Sequence, residues 1–331
     1  MTRARSMAHA IRFHKTGGPE VLQWEEVNVP EPGPGELQIR HKAVGVNYID
    51  TYHRTGLYPL PLPSGIGLEA AGVVEKVGPN VTEFKVGDRV AYCNGPIGAY
   101  SEIKNHPAER CVKVPEGIGF EQAACMMLQG LTVQYLLRRL LRVPQPGETV
   151  LWHAAAGGVG LIACQWARAL GITVIGTVSS EEKAKLAQEN GCTHTVNYTK
   201  EDFVARVAEI TGGRKVPIVY DGVGKDTFMK SLDCLQVRGL MVSFGNASGP
   251  VGPTDLGILS AKGSLYVTRP TLMGYVAKRE ELVAAAKELF DMVLAGKIKV
   301  APHQRYALKD AAQAHRDLEA RKTMGSTVLL P

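Results

Sequence analysis

The chain has 331 residues, of which 45% are hydrophobic and 21% are charged, and its formal net charge at pH 7 is +6. This length suits two domains better than one core, and the composition is typical of a globular protein rather than a disordered one. The charge is mild and forms no run of lysine or arginine, so composition gives no support for nucleic-acid binding.

The six cysteines lie apart along the chain, with no C-x-x-C pair among Cys93, Cys111, Cys125, Cys164, Cys192 and Cys234. This spacing argues against a zinc ribbon and a disulfide framework, and it favours a reducing compartment, the cytoplasm. The basic N-terminal MTRARSM is followed by no apolar segment, so we expect no signal peptide. The uncharged stretch 150–167 contains three glycines, His153 and Gln165, which favours a buried strand and helix over a membrane span.

The first 125 residues are rich in glycine and proline, and they contain short β-like runs such as LQIRHKAVGVN, AGVVEKVG and DRVAY. Turn sequences such as PEPGPGE and VGPN separate these runs. The first long helical pattern is FEQAACMMLQGLTVQYLLRRLL, at residues 120–141. We therefore predict an irregular, mostly β domain that ends near this helix.

From Thr149 onward, short apolar strands alternate with amphipathic helices. The strands are TVLWHA, ITVIGTV, THTVNY, VPIVYDGVG, GLMVSFGN and SLYVTR, and helical patterns separate the first five of them. This alternation predicts a doubly wound parallel sheet of the Rossmann type, an α/β architecture. The segment with the helix REELVAAAKELFDMVLAGK and the strand STVLLP leaves the alternation, and it could return to the first domain.

The turn after the strand TVLWHA reads A-x-G-x-x-G, one residue short of the dinucleotide fingerprint G-x-G-x-x-G. Gly157 matches the glycine that lets the backbone approach a pyrophosphate, and Gly160 matches the one that allows close packing of helix and strand. Ala155 stands where the first glycine would be. Because the turn follows a strand and opens a helix, it predicts a cofactor site at Ala155, Gly157, Gly158, Val159 and Gly160, with a mere packing turn as the alternative.

The next strand ends in Thr177-Val178-Ser179-Ser180, without the acidic residue that typically binds the ribose of NAD. Ser180 is expected to cap the following helix, so Glu181 and Glu182 complement the helix dipole. Lys183 can reach a phosphate, and Tyr198 lies at the end of the third strand, where an ordinary structural role is the alternative. The small hydroxyls of Thr177, Ser179 and Ser180, together with Lys183, favour NADPH over NADH.

Several stretches together resemble one family: HKTGGPEVL, GVNYIDTYHRTGLYP, GLEAAGVVEKVG, HAAAGGVGLIACQWA and LMVSFGNASG. They are similar to NADPH-dependent quinone oxidoreductases, the zinc-free branch of the medium-chain dehydrogenase/reductase superfamily that includes zeta-crystallin. The resemblance runs from about His9 to Pro331. It implies a GroES-like catalytic domain at residues 1–128 and 269–331 around a Rossmann NADPH-binding domain at residues 129–268.

The resemblance also bears on zinc. Zinc-bearing members of the superfamily carry a cysteine and a histidine where this chain has Asn47, in GVNYID, and Leu68, in GLE. Leucine cannot bind a metal, and an amide oxygen is a poor zinc ligand beside a thiolate or an imidazole. Cys93 and Cys111 are too sparse for a structural zinc site. We therefore expect no metal.

The resemblance implies six residues around the substrate cleft: Asn47, Tyr48, Asp50, Tyr52, Tyr58 and Tyr135. Tyr52 or Tyr58 would donate to a quinone oxygen or form an aromatic lid, with an ordinary half-buried role as the alternative. Asn47 is expected to contact the nicotinamide or the substrate. Asp50 is expected to pair with a cation, and His153 to pack or cap.

Further cofactor contacts are expected where later strands of the sheet end. Phe244, Gly245 and Asn246 end the fifth strand, where a sheet of this type binds its ligand. The resemblance adds weaker contacts from Thr268, Arg269 and Arg321, and a solvated surface role is the alternative for Arg321.

Without a metal to polarise a carbonyl, a conjugated acceptor that takes hydride readily suits the site better than an alcohol. The sequence thus predicts an NADPH:quinone oxidoreductase without metal or flavin. Two alternatives stay open: an NADPH-dependent reductase of enals or enones, and an NADPH-binding protein with an RNA-binding or crystallin-like role. The apolar strand SLYVTRP is expected at a sheet edge, where pairing across a homodimer would protect it.

Overall fold

The computed structural model describes residues 6–331, so most of the basic segment MTRARSM lies outside the described residues. The chain divides into two compact units. The first comprises the residues up to Leu131 with Val276–Leu294 and Val300–Pro331, and the second comprises Thr132–Tyr275 with Ala295–Lys299. The sequence predicts the boundaries at 128/129 and 268/269. In the structure the second unit extends to Tyr275, so Arg269, which the sequence places in the first domain, lies in the second unit.

Strands predominate in the first third of the chain, and helices and strands alternate through the middle. The strands are β1 Ser6–Phe13, β2 Gln23–Val29, β3 Glu36–Val46, β4 Ser64–Gly65, β5 Ala70–Val77, β6 Arg89–Tyr92, β7 Ile103–Pro107, β8 Val112–Lys113, β9 Thr149–Trp152, β10 Thr173–Val178, β11 His194–Asn197, β12 Val216–Asp221, β13 Leu235–Ser243, β14 Tyr266–Thr268, β15 Pro302–Ala307 and β16 Ser326–Leu330. The helices are α1 Tyr48–Thr55, α2 Phe120–Arg138, α3 Gly158–Ala169, α4 Glu181–Glu189, α5 Phe203–Ile210, α6 Phe228–Asp233, α7 Gly257–Ala261, α8 Leu272–Tyr275, α9 Arg279–Leu294 and α10 Ala311–Glu319. No helix within residues 6–331 has the length and apolar character needed to cross a membrane.

The first unit is built on two mainly antiparallel sheets. One has the strand order β2-β1-β4, and the other has the order β15-β16-β3-β5-β6-β8, with β7 also paired to β3. The C-terminal strand β16 lies antiparallel to β3, with Val328 opposite Gly45. The C-terminal strand thus belongs to the first unit, and the core that it shares with β3 includes Leu37, Val44 and Leu329.

The second unit contains one parallel sheet of six strands in the order β11-β10-β9-β12-β13-β14. The chain starts in the middle with β9, adds strands on one side, and then continues on the other side from β12. This is the doubly wound Rossmann order, and ligands bind such a sheet at the carboxyl ends of the strands beside the change of direction. The predicted fold class is confirmed, and SLYVTR lies at the predicted edge of the sheet.

Helix α3 is more buried than its sequence pattern suggests. The sequence predicts one apolar face at Val159, Ile162, Ala163, Trp166 and Leu170. In the structure every residue from Gly160 to Ala167 is buried. The reason is that small residues on the other faces, such as Ala167, also pack inside, so the helix is covered on more than one side.

Candidate active site

The turn between β9 and α3, residues 154–160, is a tight backbone loop that we call the glycine turn. Ala154 adopts the left-handed conformation, with φ +55°, and its carbonyl accepts a hydrogen bond from Gly157 N–H at 3.0 Å. Gly157 is the N-cap of α3. The first N–H groups of a helix have no helical partner and carry its positive dipole end, so this turn is suited to an anion.

Gly160 has no room for a side chain. A Cβ at this position would lie 2.4 Å from the carbonyl oxygen of Ala154 and 2.6 Å from that of Ala155. A Cβ at Gly157 would meet the Ala154 oxygen at 3.3 Å, a much milder contact. Gly160 therefore serves close helix-to-strand packing, the role expected of the third glycine of the fingerprint.

Ala155, the departure from the fingerprint, is accommodated by a glycine elsewhere. Its side chain is buried and lies against Gly176 of β10, where an added Cβ would be only 2.5 Å from the Ala155 Cβ. Gly176 was not among the residues predicted from the sequence. A lone glycine inside a strand indicates the close approach of another group, and ITVIGTV carries that signal.

The carboxyl ends of β10 and β11 bring together the residues predicted to read the 2′-phosphate. The strands are parallel, with Val178 opposite Asn197, so Ser179 and Tyr198 follow neighbouring strand ends. Ser180 caps α4, and its hydroxyl accepts from Lys183 N–H at 3.2 Å, as predicted. Lys183 thus lies in the first turn of α4, where it is half-buried and follows Ser179 and Ser180 closely in the chain.

The loop after β13 is braced by Arg269. This guanidinium donates to the carbonyl oxygens of Ser243 at 2.9 Å and Gly245 at 3.3 Å. Phe244 lies 5.8 Å, centroid to centroid, from the ring of Trp152. Thr268 ends β14 opposite Val242 of β13, two residues before Phe244, and it precedes Arg269 directly.

Two predicted site residues are buried inside the second unit. Thr177 is 1% exposed, and its hydroxyl contacts the N–H of Ala154 and the ring of His153, so its side chain supports the glycine turn from beneath. Tyr135 is 2% exposed, and its ring stacks on Tyr275 at 4.4 Å. Burial raises the pKa of the Tyr135 phenol well above its usual value.

In the first unit, three of the predicted tyrosines form one aromatic group on and after α1. The ring centroids of Tyr48 and Tyr52 are 6.0 Å apart, and those of Tyr52 and Tyr58 are 5.2 Å apart. Tyr48 is half-buried, and burial with the charge of Glu319 raises the pKa of its phenol, although Arg321 opposes this. Exposed Arg321 therefore lies near Tyr48 in this unit.

Asn47 is held by a buried polar cluster at the start of α1. Its Nδ2 donates to Glu69 Oε2 at 2.6 Å, and its Oδ1 accepts from Gln129 Nε2 at 3.3 Å. Gln129 in turn accepts a 2.7 Å hydrogen bond from Ser326. The amide of Asn47 is thus fixed in one orientation, and it sits 4% exposed.

Glu69 is the most consequential residue that the sequence analysis left out. Its carboxyl group is fully buried, and Oε1 accepts from Leu128 N–H at 2.8 Å. Burial raises the pKa of Glu69 to about 8, despite the opposing hydrogen bond from Asn47. Gly45 leaves the space for it, since a Cβ there would lie 2.5 Å from Glu69 Oε2. The signal was present in GLE, the last residue of which is Glu69.

Asp50 has neutral partners where the sequence analysis expected a cation. Its Oδ2 accepts from Asn47 N–H and from the Tyr100 hydroxyl, both at 2.9 Å. The Tyr100 hydroxyl also contacts His315, which contacts the buried Arg54 at 2.8 Å. The side chains of His315 and Tyr100 therefore separate Asp50 from the positive charge of Arg54. Burial raises the pKa of Asp50 to about 7.

This raised pKa predicts a pH dependence of stability. An acid with a higher pKa in the folded chain holds its proton more tightly when folded, so its contribution to stability falls as pH rises toward the folded value. We expect the Asp50→Asn variant to gain about 1 kcal/mol per pH unit relative to the natural chain between about pH 5 and 7, and nothing further above it. Urea unfolding followed by circular dichroism across this range measures the difference.

Asparagine suits the test because its side-chain oxygen can still accept both bonds that Oδ2 accepts. The exposed Glu116→Gln variant is the control and should follow the natural chain at every pH. A stability difference for Asp50→Asn that is constant from about pH 5 to 7 would contradict the raised pKa.

Comparison with known proteins identifies the family. The model described as "Alcohol dehydrogenase GroES-like domain" matches residues 33–116, and the one described as "Zinc-binding dehydrogenase" matches residues 158–291. A protein named quinone oxidoreductase, from Pseudomonas aeruginosa, is 59% identical over 98% of this chain and 100% of its own length. The chain belongs to the quinone oxidoreductase family.

Two further relatives of this chain are informative. The crystal structure of Escherichia coli quinone oxidoreductase complexed with NADPH has a TM-score of 0.96 and 56% identity, covering 98% of this chain and 100% of that one. A 2-haloacrylate reductase from Burkholderia sp is 50% identical over 98% of this chain and 99% of its own length.

One of the two matching family descriptions mentions zinc. The residues at the corresponding positions of this chain do not suit that metal. Leu68 has no donor atom, and both polar atoms of the Asn47 side chain are engaged by Glu69 and Gln129. Across residues 6–331 no group of three His, Cys, Asp or Glu side chains is arranged to hold a metal ion.

Proposed function

We propose that this chain is an NADPH-dependent quinone reductase that acts without metal or flavin. The observation that carries the proposal is its 59% identity to a protein named quinone oxidoreductase, over the full length of that relative. The Escherichia coli relative was solved with NADPH. The carboxyl edge of the parallel sheet in this chain offers a helix start that suits an anion, and Lys183 follows Ser179 and Ser180 in the first turn of α4. Both features suit the same cofactor.

The cofactor would be held at two places on the second unit. At the glycine turn, Gly157, Gly158 and Val159 would present N–H groups to the pyrophosphate. At the ends of β10 and β11, Ser179, Ser180, Lys183 and Tyr198 would hold the 2′-phosphate. The Ser180 hydroxyl accepts from Lys183 N–H, so its own proton is available to a phosphate oxygen. Phe244, Gly245 and Asn246 would flank the nicotinamide. When bound, NADPH supplies the hydride.

The first unit would serve the acceptor. Its aromatic group, Tyr48, Tyr52 and Tyr58, provides flat apolar faces for a quinone ring. Because burial raises the pKa of Tyr48, its phenol keeps its proton at neutral pH and can donate a hydrogen bond to the oxygen that becomes negative during reduction. We assign Asn47 to holding the start of α1 in place, since Glu69 and Gln129 fix its amide.

A second candidate is reduction of an activated C=C bond, favoured by the 50% identity to a 2-haloacrylate reductase. The two functions are separated by following NADPH oxidation with purified protein and a panel of benzoquinones, naphthoquinones, enals and 2-haloacrylate. We expect turnover with quinones, reduced in the Tyr48→Phe variant. Turnover confined to the C=C substrates would overturn the proposal.

We further propose a homodimer formed through the edge of the parallel sheet. The edge strand β14 exposes Tyr266 by 61% and Val267 by 40%, and an exposed apolar edge of this kind invites pairing. Light scattering should therefore give twice the chain mass of 35.7 kDa. The Val267→Lys variant should shift the mass toward the monomer, whereas Val283→Lys, an exposed valine on α9, should not. A monomeric mass for the natural chain would refute the dimer.

We assign the protein to the cytoplasm. The support is that all six cysteines are buried free thiols, a state that a reducing compartment maintains.

A further inference from the structure

A continuous chain of hydrogen bonds lies beneath the glycine turn. It starts at Ala154 N–H, which lies 3.3 Å from Thr177 Oγ1, and continues from that hydroxyl to His153 Nδ1 at 3.0 Å. On the other side of the ring, His153 Nε2 lies 2.8 Å from Ser231 Oγ, which donates to Asp221 Oδ2 at 3.0 Å. His153, Thr177, Ser231 and Asp221 are all 2% exposed or less.

The chemistry of these groups gives every bond a direction. A carboxylate only accepts, so the single proton of Ser231 goes to Asp221, and Ser231 must accept from His153 Nε2–H. A neutral imidazole then has its lone pair on Nδ1, which accepts the proton of Thr177, and Thr177 accepts from Ala154 N–H. Burial lowers the pKa of His153, which keeps the ring in this neutral form. Every donor therefore points toward Asp221, an arrangement in which hydrogen bonds strengthen one another.

The first end of this chain controls the shape of the glycine turn. Ala154 is held in the left-handed conformation, which costs an alanine free energy unless neighbouring contacts enforce it. Its N–H is fixed by Thr177, and its carbonyl holds Gly157 N–H at the start of α3. A change at Thr177 is therefore felt where the pyrophosphate would bind.

The other end of the chain holds a second loop. Asp221 Oδ1 accepts from the N–H groups of Val223 at 2.8 Å and Gly224 at 3.0 Å. Gly224 lies tightly against the loop after β13, since a Cβ there would meet the carbonyl oxygens of Gly249 at 2.6 Å and Gly245 at 3.2 Å. The loop that carries Phe244, Gly245 and Asn246 therefore rests on a segment fixed by the same carboxylate.

We propose that His153 is a positioning residue that joins the two cofactor-binding loops through Thr177, Ser231 and Asp221. The inference rests on the proposed NADPH-binding function and gives the buried histidine a role beyond packing or capping. It contacts no cofactor atom itself; it acts on the pyrophosphate through the backbone of Ala154.

The test compares two ligands in the Thr177→Val variant, which keeps the side-chain shape and removes the hydroxyl. NADPH spans the glycine turn, whereas adenosine 2′-monophosphate has no pyrophosphate and would use only the site at Ser179, Ser180, Lys183 and Tyr198. We expect the Kd for NADPH, measured by calorimetry, to rise about tenfold and the Kd for adenosine 2′-monophosphate to change less than about twofold. Equal changes for both ligands, or no change for either, would overturn the proposal.

Two further variants guard against a simple loss of folding. Thr173→Val makes the same replacement at the start of the same strand, and both affinities should remain those of the natural chain. Ser231→Ala breaks the chain away from the glycine turn and should also weaken NADPH selectively. Since both sites belong to one chain, the Thr177→Val/Ser231→Ala double variant should lose less than the product of the two single losses. Fully multiplicative losses would count against the proposal.

The outcome also separates this inference from the proposed function. If the natural chain binds neither ligand, the NADPH-dependent function fails. If it binds both and Thr177→Val behaves like Thr173→Val, only the positioning role of His153 fails.

Discussion

Replacing Lys183 by alanine should raise the Kd for NADPH by about tenfold to a hundredfold and leave the Kd for NADH within about twofold. The two cofactors differ only in the 2′-phosphate, and Lys183 is the basic residue in the first turn of α4, three residues after the N-cap Ser180. If Lys183 contacts the 2′-phosphate as proposed, the variant removes one positive charge from that site and leaves the hydroxyl donors in place. Calorimetric or fluorescence titration of both cofactors measures the change.

Lys185→Ala provides the control for this experiment. It removes the same charge from the same helix at an exposed position, so any effect of net charge alone appears equally in both variants. A loss of affinity that is the same for NADPH and NADH in Lys183→Ala would show that this lysine does not distinguish the two cofactors.

Replacing Gly160 by alanine should abolish measurable NADPH binding and destabilise the second unit by about 1–3 kcal/mol. The new methyl group would lie 2.4 Å and 2.6 Å from two backbone carbonyl oxygens, those of Ala154 and Ala155. Backbone cannot swing aside as a flexible side chain can, so α3 must move away from the glycine turn. Titration with NADPH and urea unfolding test the two effects separately.

Gly252→Ala is the matched control in the same unit, because a Cβ there would have no neighbour within 4 Å. Gly157→Ala should lie between the two, given its single contact at 3.3 Å with the Ala154 oxygen. Natural NADPH affinity in Gly160→Ala would mean that the position tolerates a side chain and that its glycine is not required by packing.

The fold was largely predictable because its signals are local. Alternating apolar strands and helices predict the parallel sheet, and the loss of that rhythm after SLYVTR predicts the return of β16 to the first unit. Element ends were less certain: GLMVSFGN was predicted to include Phe244 and Asn246, whereas β13 ends at Ser243. Hydrogen bonding to neighbouring strands decides such ends, and a single segment does not contain that information.

In the candidate site, too, the features within one segment were predictable and the features formed by distant segments were not. The glycine turn and the residues after β10 were predicted from sequence because each segment is contiguous, and the Ser180 cap is confirmed. The cluster of Asn47, Glu69 and Gln129 was not found, because its members come from separate parts of the chain. The burial of Thr177 was not predicted from the sequence. Alternation along β10 turns its side chain inward to His153.

The contact between Ala155 and Gly176 changes what a cofactor fingerprint means in a chain of this kind. Ala155 replaces the first glycine of the motif, and Gly176 on the adjacent strand leaves the space for its methyl group. A search that scores one segment at a time therefore misses the compensating glycine. The Ala155→Gly variant would restore the G-x-G-x-x-G sequence, but it would remove a packed methyl group and leave a void next to Gly176. The pair should therefore vary together among relatives, and a pattern that couples the two positions would recognise such sites where the linear one overlooks them.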